Sequence, residues 1–498
     1  MEVFEYLLSA YTPMNLLITA IGAFLGILVG AIPGLSSPMV IVVLLPLTYS
    51  MEPLPALLLL IAIYEASKLG GSFPAVLLRT PGTPAAACTC LDGHAMAEKG
   101  KAGLAIGYST VGSLVGGIFS FLACLFCAPA IASIALKAAN ADIALIGALG
   151  LIMVCIFSRG NIIKGLIGVA LGLLISSVGA DPINGTSRFT FGNYKLISGI
   201  PFVAALTGMF AVGTVLSDMK AIGKRSGAAQ TNGVKVELPT FKETVKYWKE
   251  LLIGAVYGVL VGAIPGVGAE GSTWLAYANA QKISKHPEKF GTGIPEGIVS
   301  AESSNNAVTG GALIPMLTLG IPGDGSTAIM LGALMLQGLN PGVTLFRDNP
   351  ELTYGMIAGL LSSSVFMFLI GWKLIKPFVA MLSKDRSWIF PFVIVFASIG
   401  AFADSNTTTP VIMAALFGLL AYFMQKNGFP IVTMVLAIIL GPVVETNART
   451  ALVFSKGSWL TFGETWLRKI IILVAVFLIV SEVVRYFKDK KKAAQKAA

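Results

Sequence analysis

Residues 22–34 read Gly-Ala-Phe-Leu-Gly-Ile-Leu-Val-Gly-Ala-Ile-Pro-Gly, and residues 254–266 read Gly-Ala-Val-Tyr-Gly-Val-Leu-Val-Gly-Ala-Ile-Pro-Gly. Glycines at every fourth position give a helix a small-residue face on which another helix can pack closely. The Pro-Gly pair that follows ends that helix. The same pattern with the same ending therefore occurs twice, 232 residues apart.

A second motif is repeated downstream in the same order. Its members are Gly70, Pro74, Pro81 and Gly82 in the first copy and Gly311, Pro315, Pro322 and Gly323 in the second. Two motifs in one order indicate a duplication. The sequence therefore predicts membrane repeats at 1–217 and 251–486, a basic cytoplasmic connector at 218–250 and a basic cytoplasmic tail at 487–498.

The composition identifies the class of protein. Of 498 residues, 55% are hydrophobic and 12% are charged, and the mean hydropathy is +0.81. Disordered chains are rich in charge, and five cysteines are too few for a disulfide scaffold. We expect an all-α polytopic integral membrane protein with about 10–13 transmembrane helices, since each span needs about 20 apolar residues. Short apolar pieces beside Pro-Gly pairs, such as 38–47 and 327–336, predict broken or re-entrant helices.

The net charge of +10 is concentrated in the predicted connector and tail. Basic residues beside spans mark the cytoplasmic side of a membrane protein. Binding to nucleic acid would need a basic face with stacking aromatic residues, and the sequence shows none. The chain is therefore predicted to contact membrane lipid and no nucleic acid.

The charges of equivalent loops differ between the two copies. After the first Pro-Gly pair, residues 39–63 contain no Lys or Arg, whereas the second copy has Lys282, Lys285 and Lys289. After the second pair the bias reverses, with Lys99 and Lys101 in the first copy. Equivalent loops are therefore expected on opposite sides, which predicts inverted-topology repeats as in many secondary transporters.

The four Pro-Gly breaks contain most of the polar residues inside the apolar zones. A Ser or Thr after each break can cap the next helix, whose free N–H groups and dipole attract anions. Simple kinks filled by packing are the alternative for any single break. The predicted substrate-binding residues are Ser36, Ser37, Thr80, Gly82, Thr83, Ser272, Thr273, Gly323, Ser326 and Thr327.

Ionisable groups inside membrane segments are candidates for a coupling ion. Asp324 lies between two glycines at a break, and Glu302, Asn305 and Asn306 precede the apolar stretch 307–319. A carboxylate with amide oxygens suits Na⁺, although helix capping and interhelical hydrogen bonds would also explain these residues. In the first copy, Glu65 and Lys68 are explained by an internal ion pair.

Enzyme chemistry has little support. The two histidines form no metal-spaced cluster, and the chain contains neither a Gly-x-Ser-x-Gly elbow nor a phosphate-binding loop. We expect no catalytic residues, no cofactor and no metal other than Na⁺, with Na⁺ or H⁺ as the coupling ion. An ion or solute channel, a passive scaffold and an intramembrane enzyme with a paired catalytic set are the alternative functions.

The motifs resemble the large permease subunit of the tripartite tricarboxylate transporters, the TctA family. The supporting motifs are Gly70-Gly71-Ser72, Thr80-Pro81-Gly82-Thr83-Pro84, Asp92-Gly93-His94, Pro265-Gly-Val-Gly-Ala-Glu-Gly-Ser272, Ala301-Glu302-Ser-x-Asn305-Asn306 and Leu319-Gly-Ile-Pro-Gly-Asp-Gly-Ser-Thr327.

This resemblance implies a multi-pass permease of the bacterial inner membrane. It would work with a small four-helix membrane subunit and a periplasmic solute-binding protein that delivers the substrate. The resemblance further implies import of tricarboxylates or other carboxylates by symport, driven by an ion gradient of Na⁺ or H⁺.

Overall fold

A computed structural model describes residues 2–32, 35–157, 162–219, 236–373, 389–403 and 406–497. Side chains are described throughout these ranges except at positions 218, 389, 483 and 486–497. The Pro33-Gly34 pair, residues 220–235 of the predicted connector and the last residue of the predicted tail lie outside the described residues.

The chain is almost entirely helical. The helices of the first half are α1 Glu2–Leu8, α2 Pro13–Gly30, α3 Ser37–Leu44, α4 Pro53–Leu78, α5 Thr89–Glu98, α6 Ala102–Ala135, α7 Asn140–Phe157, α8 Ile162–Ser176, α9 Phe202–Leu206 and α10 Gly213–Asp218. Those of the second half are α11 Phe241–Lys246, α12 Trp248–Gly262, α13 Gly268–Ile283, α14 Pro295–Leu319, α15 Gly325–Leu336, α16 Val343–Asp348, α17 Pro350–Lys373, α18 Ile389–Ala403, α19 Thr409–Lys426, α20 Ile431–Phe454 and α21 Trp466–Ala497. A π-helical turn at Thr207–Val212 joins α9 to α10.

Six of the described helices are long and apolar enough to cross a membrane: α2, α4, α6, α17, α19 and α20. The structure also contains shorter apolar helices of 10–17 residues, among them α15. In the described ranges, strand is confined to one hairpin, β1 Gly179–Ala180 with β2 Ser187–Arg188. The prediction of an all-α polytopic membrane protein is confirmed.

The glycine face of α2 packs directly on α4. A Cβ atom at Gly26 would lie 2.7 Å from the carbonyl oxygen of Ile63, and one at Gly30 would lie 2.0 Å from that of Ser67. The break after α4 then returns to α2, because a Cβ at Gly82 would lie 2.1 Å from the Gly30 carbonyl. Only glycine permits these backbones to approach so closely.

The second copy repeats the arrangement with α12 on α14. A Cβ at Gly258 would lie 2.6 Å from the Ser304 carbonyl oxygen, and one at Gly262 would lie 2.8 Å from that of Val308. The break after α14 returns to α12, with a Cβ at Gly323 lying 2.5 Å from the Gly262 carbonyl. The duplicated sequence motifs therefore make equivalent contacts.

Two hydrogen bonds join loops of the first copy to loops of the second. The Lys99 ammonium donates to the Thr292 carbonyl oxygen at 2.5 Å, which joins the two loops predicted to lie inside. The Gln337 amide donates to the carbonyl oxygen of Thr48 at 2.8 Å, near the loops predicted to lie outside. Each contact joins non-equivalent loops of the two copies.

The two long helices before the second breaks extend beyond their predicted bounds. The hydropathy pattern predicts spans at 54–69 and 307–319, whereas α4 covers Pro53–Leu78 and α14 covers Pro295–Leu319. Both helices contain an internal proline, at Pro74 and Pro315. The predicted span ended too early in α4 and began too late in α14. Residues 297–318 of α14 are buried in protein, so its polar first half does not need to be apolar.

The chain forms two compact units. The first comprises Met1–Ser133 with Val203–Phe423, and the second comprises Ile134–Phe202 with Met424–Ala498. Each unit takes residues from both predicted repeats, so the compact units follow a different division from the duplication.

Ion pairs tie together the two chain segments of the second unit. The Arg468 guanidinium binds the Asp142 carboxylate through two hydrogen bonds of 2.8 and 3.2 Å, and both side chains are buried. Arg449 donates to Asp181 at 2.6 Å, and Arg188 donates to Glu445 at 2.5 Å. The charge-assisted contacts of Arg188 and Arg449 hold the β-hairpin onto α20.

Candidate functional site

The centre of the first unit is a polar helix enclosed by protein. Residues 297–318 of α14 are all buried, and they include the predicted ion-binding residues Glu302, Asn305 and Asn306. Each of these three side chains is 0% exposed. Their functional groups therefore face neighbouring helices, where every polar atom needs a partner or imposes a desolvation cost.

Glu302 is held by hydroxyl groups from the first copy. Thr89 of α5 donates to one carboxylate oxygen, and Ser113 of α6 donates to the other at 3.3 Å. Both hydroxyl groups are buried. Two hydrogen bonds orient the carboxylate, and the nearby Lys68 ammonium, which it shares with Asp324 and Glu65, offsets part of its charge.

The amides next to Glu302 have unsatisfied atoms. The Asn305 side chain lies beside the Glu302 carboxylate without forming a well-aligned hydrogen bond. The Asn306 Oδ1 atom and, one turn beyond Asn305, the Thr309 Oγ1 atom lack a hydrogen-bond partner. Leaving a buried polar atom unpaired costs about 1–3 kcal/mol. Several such atoms on one helix face, beside a buried carboxylate, are typical of a site that a ligand completes.

A second charged group lies on α4, close to Asp324. The Tyr64 hydroxyl donates to Asp324 Oδ2 at 2.5 Å, and the Lys68 ammonium lies 4.5 Å from the centre of the Tyr64 ring. Lys68 is 4% exposed. Glu65 instead accepts a hydrogen bond from Ser364 of α17, so these contacts replace the ion pair expected between Glu65 and Lys68.

Asp324 is the N-cap of α15. Its Oδ1 atom accepts the Thr327 N–H at 3.0 Å, and the Thr327 hydroxyl in turn accepts the Asp324 N–H at 3.0 Å. This reciprocal capping box fixes the start of α15. Asp324 is therefore bound through both carboxylate oxygens, to α15 and to Tyr64 of α4.

The starts of α3 and α15 lie side by side. A Cβ at Gly325 would lie 3.3 Å from the Pro38 ring and 3.0 Å from the Phe210 ring. Ser36 is the N-cap of α3 without a side-chain cap bond, and Ser37 forms a 2.6 Å hydrogen bond with Ser67 of α4. Two adjacent helix N-termini bring their positive dipole ends together, and the Asp324 carboxylate already caps that of α15.

The other predicted substrate-binding residues near α15 also lie at the start of this helix. Ser326 is 2% exposed and Thr327 is 0% exposed, both in the first turn of α15. Gly323 packs against α12 at the preceding break.

The second break of the first copy does not begin a long helix. Thr83 precedes a four-residue 3-10 turn at Pro84–Ala87, and its hydroxyl group is buried without a hydrogen-bond partner. The Thr80 hydroxyl donates to the Leu78 carbonyl oxygen at 3.2 Å, and the Gly82 N–H donates to the Gly71 carbonyl oxygen at 3.1 Å. A helical turn therefore begins after Thr83 with Pro84 at its first position, but it is a short 3-10 turn and not the long α-helix that a strong dipole needs.

The helix start expected at Ser272 and Thr273 is also misplaced. α13 begins at Gly268, one turn earlier, because Gly266 and Gly268 both adopt positive φ and complete the turn there. Ser272 forms a 2.5 Å hydrogen bond with Ser304 of α14, and the Thr273 hydroxyl donates to the Glu270 carbonyl oxygen at 3.1 Å. Both side chains are buried within α13 rather than at its N-terminus.

The structure thus brings the predicted residues together in two groups. Glu302, Asn305 and Asn306 lie on α14, whereas Ser36, Ser37, Gly323, Ser326 and Thr327 surround the starts of α3 and α15. Tyr64 and Asp324 join the helix starts to α4. Thr80, Gly82, Thr83, Ser272 and Thr273 lie at neither helix N-terminus.

Several residues of the site, all polar except Phe210, escaped the sequence reasoning. They are Tyr64, Thr89, Ser109, Ser113, Phe210, Ser363 and Ser364. The serines of α6 and α17 occur singly or in a short run within apolar spans, a pattern that is usual for helices whose hydroxyl groups bond their own backbone. The π-helical turn beside Phe210 leaves no pattern in the sequence, although such turns are frequent at functional sites.

Comparison with known proteins agrees with this architecture. A relative from Agrobacterium vitis, described as "Uncharacterized 52.8 kDa protein in TAR-I ttuC' 3'region", is 31% identical over 484 residues, which is 97% of this chain and 96% of the relative. A second relative from the same organism, "Uncharacterized protein in TAR-II ttuC' 3'region", is 34% identical over 205 residues, or 41% of this chain and 85% of the relative. No solved structure matches the chain.

The sequence model described as "Tripartite tricarboxylate transporter TctA family" matches residues 16–436. This range includes both glycine faces, α14 and the starts of α3 and α15. It agrees with the resemblance drawn from the motifs, and the chain belongs to the tripartite tricarboxylate transporter TctA family.

Proposed function

We propose that this chain is the permease subunit of a secondary transporter that imports tricarboxylates or other carboxylates by symport with Na⁺ or H⁺. It acts in the bacterial inner membrane with a small four-helix membrane subunit and a periplasmic solute-binding protein. The observation that carries the proposal is the unsatisfied face of α14, where Asn305, Asn306 and Thr309 present unpaired atoms beside Glu302.

The substrate carboxylates bind at the starts of α3 and α15. Backbone N–H groups there recognise carboxylate oxygens without a specific side chain, aided by the hydroxyl groups of Ser36, Ser37 and Ser326. Such a site recognises carboxylate groups in general. The choice among carboxylates then falls largely to the delivery protein.

The coupling ion binds at Glu302, Asn305 and Asn306. One carboxylate with amide oxygens supplies the hard ligands and the single negative charge that Na⁺ requires, and the Glu302 carboxylate alone can hold a proton. Asp324 belongs to the coupling mechanism through Tyr64. Its carboxylate links the start of α15, in the substrate group, to α4, which packs against α14.

Uptake by the complete three-component complex in proteoliposomes tests this function. Radiolabelled carboxylates are supplied with an imposed inward Na⁺ gradient, an imposed H⁺ gradient, or neither. We expect accumulation above the external concentration with one of the two gradients and its loss when an ionophore collapses that gradient. Uptake that ignores both gradients would identify a channel or passive pathway and contradict symport.

A further inference from the structure

Four buried polar residues on three helices form a second group, which shares Asn306 with the Glu302 site. This Glu65 cluster consists of Glu65 on α4, Asn306 on α14, and Ser363 and Ser364 on α17. All four side chains are 0% exposed. The Ser364 hydroxyl donates to Glu65 Oε1, and the Asn306 amide donates to the Glu65 carbonyl oxygen at 3.2 Å. Glu65 and Asn306 occupy equivalent positions of the two copies, 241 residues apart.

Three oxygen atoms of the cluster lack a partner. They are Glu65 Oε2, Asn306 Oδ1 and Ser363 Oγ. The Ser363 hydroxyl lies next to the Glu65 carboxylate without forming a well-aligned hydrogen bond. The other side of the carboxylate is closely packed, since a Cβ at Gly117 of α6 would lie 2.3 Å from Glu65 Oε1. Close packing and the Ser364 hydroxyl therefore occupy the Oε1 side of the carboxylate, and Oε2 is its unpaired oxygen.

The charge of Glu65 also lacks a dedicated counter-charge. Three carboxylates, those of Asp324, Glu65 and Glu302, share the nearby Lys68 ammonium. Lys68 lies over the ring of Tyr64, whose hydroxyl binds Asp324. One ammonium balances one carboxylate. A fully buried second carboxylate that only hydroxyl groups contact is strongly disfavoured unless another cation or a proton neutralises it.

We propose that the Glu65 cluster is a cation site that binds one Na⁺ through Glu65 Oε2, Asn306 Oδ1 and Ser363 Oγ. Oxygen ligands suit a hard cation, and a single carboxylate selects a monovalent one. The inference rests on the proposed symport function and adds a second ion to the one at Glu302. When the ion at Glu302 is also Na⁺, this second ion squares the contribution of the Na⁺ concentration gradient to the accumulation ratio.

Binding of ²²Na⁺ to the purified full-length chain in lipid nanodiscs tests this site directly. Ser363→Ala removes an oxygen that has no hydrogen-bond partner, so the protein should fold normally while the affinity of one Na⁺ falls about tenfold. Glu65→Gln should lower the number of Na⁺ bound per chain by one. The matched control is Ser362→Ala, since the Ser362 hydroxyl donates to the Gly359 carbonyl of its own helix at 3.1 Å and should leave Na⁺ binding unchanged.

Unchanged stoichiometry and affinity in both Glu65→Gln and Ser363→Ala would overturn the site, and so would a wild-type chain that binds no Na⁺. The transport measurement separates these failures from failure of the symport proposal. If uptake still follows an ion gradient in the complete complex while the Na⁺ site is absent, only the second site is wrong. If uptake ignores every gradient, the proposed function itself is wrong.

Discussion

At the scale of single residues, substitution of Asp324 can distinguish the role of its charge in uptake from its role as a helix cap. It caps α15 through Thr327 and accepts the Tyr64 hydroxyl. We expect Asp324→Asn to abolish uptake, because the substitution removes the charge that faces Lys68 and Tyr64. The protein should remain stable, because the asparagine amide can still cap α15. Uptake by the reconstituted complex measures the effect, and thermal unfolding measures stability. Asp324→Ala should also abolish uptake, with an added loss of about 1 kcal/mol of stability from the missing cap.

The matched control is Asp348→Asn. Asp348 is an exposed aspartate at the end of α16 whose carboxylate pairs with the adjacent Arg347. This variant should transport at the wild-type rate. Near-normal uptake by Asp324→Asn would remove Asp324 from the mechanism and leave it as a helix cap only.

The sequence identified the charged members of the site better than the hydroxyl-bearing ones. Glu302, Asn305 and Asn306 were recognised because charged and amide groups are rare in membrane segments, and the structure places them together on α14. Ser363 gave no such signal, because serine in an apolar helix commonly bonds its own backbone. Which serines face Glu65 or Glu302 depends on the packing of α6 and α17 against α4 and α14, and sequence spacing within one helix does not specify that packing.

At the scale of secondary-structure elements, the glycine faces decide how closely the paired helices approach. A Cβ at Gly30 would lie 2.0 Å from the Ser67 carbonyl oxygen, a backbone atom that cannot move without shifting α4. We expect Gly30→Ala to destabilise the protein by on the order of 3 kcal/mol. Thermal unfolding in nanodiscs measures the loss.

Gly463→Ala is the control for this substitution. No atom lies within 4 Å of a Cβ at Gly463, and its backbone does not adopt positive φ. Its melting temperature should match that of the wild type. A Gly30→Ala variant that is equally stable would show that α2 and α4 are farther apart than described.

The β-hairpin of the second unit should make the free energy of unfolding depend on pH. The hydrogen bond from Arg449, together with the N–H groups of Ile183 and Asn184, holds the pKa of the Asp181 carboxyl well below its usual range. A lowered folded-state pKa contributes stability above the unfolded pKa of about 3.9, and that contribution is lost as the pH falls toward the folded-state pKa.

The stability difference between wild type and Asp181→Asn tests this dependence. It should be constant from about pH 8 to pH 5 and shrink below about pH 4, as unfolded Asp181 takes up a proton. Thermal unfolding of both proteins across this range provides the measurement. A difference that grows toward low pH would show that the ion pairs with Arg449 do not stabilise the folded hairpin.

At the scale of the whole molecule, the duplication was visible in the sequence, but the two compact units were not. The repeated glycine and Pro-Gly motifs are local patterns, and the structure gives them equivalent contacts in both copies. The second unit joins residues 134–202 to residues 424–498 through contacts such as Arg468 with Asp142. No local pattern links those two residues, because their pairing depends on how distant segments pack.

The predicted inverted arrangement of the two repeats specifies which loops lie on each side of the membrane. Single cysteines introduced in a cysteine-free background at Lys101 and Lys285 should react with a membrane-impermeant maleimide only from the cytoplasmic side. Cysteines at Glu52 and Arg347 should react only from outside. All four residues are exposed, so the side of the membrane, rather than burial, decides their reactivity.

Labelling of intact cells and of inverted vesicles gives the two measurements. Glu52 and Lys285 lie after the equivalent first breaks, so labelling of both from the same side would show parallel repeats and contradict the loop contacts at Lys99 and Gln337.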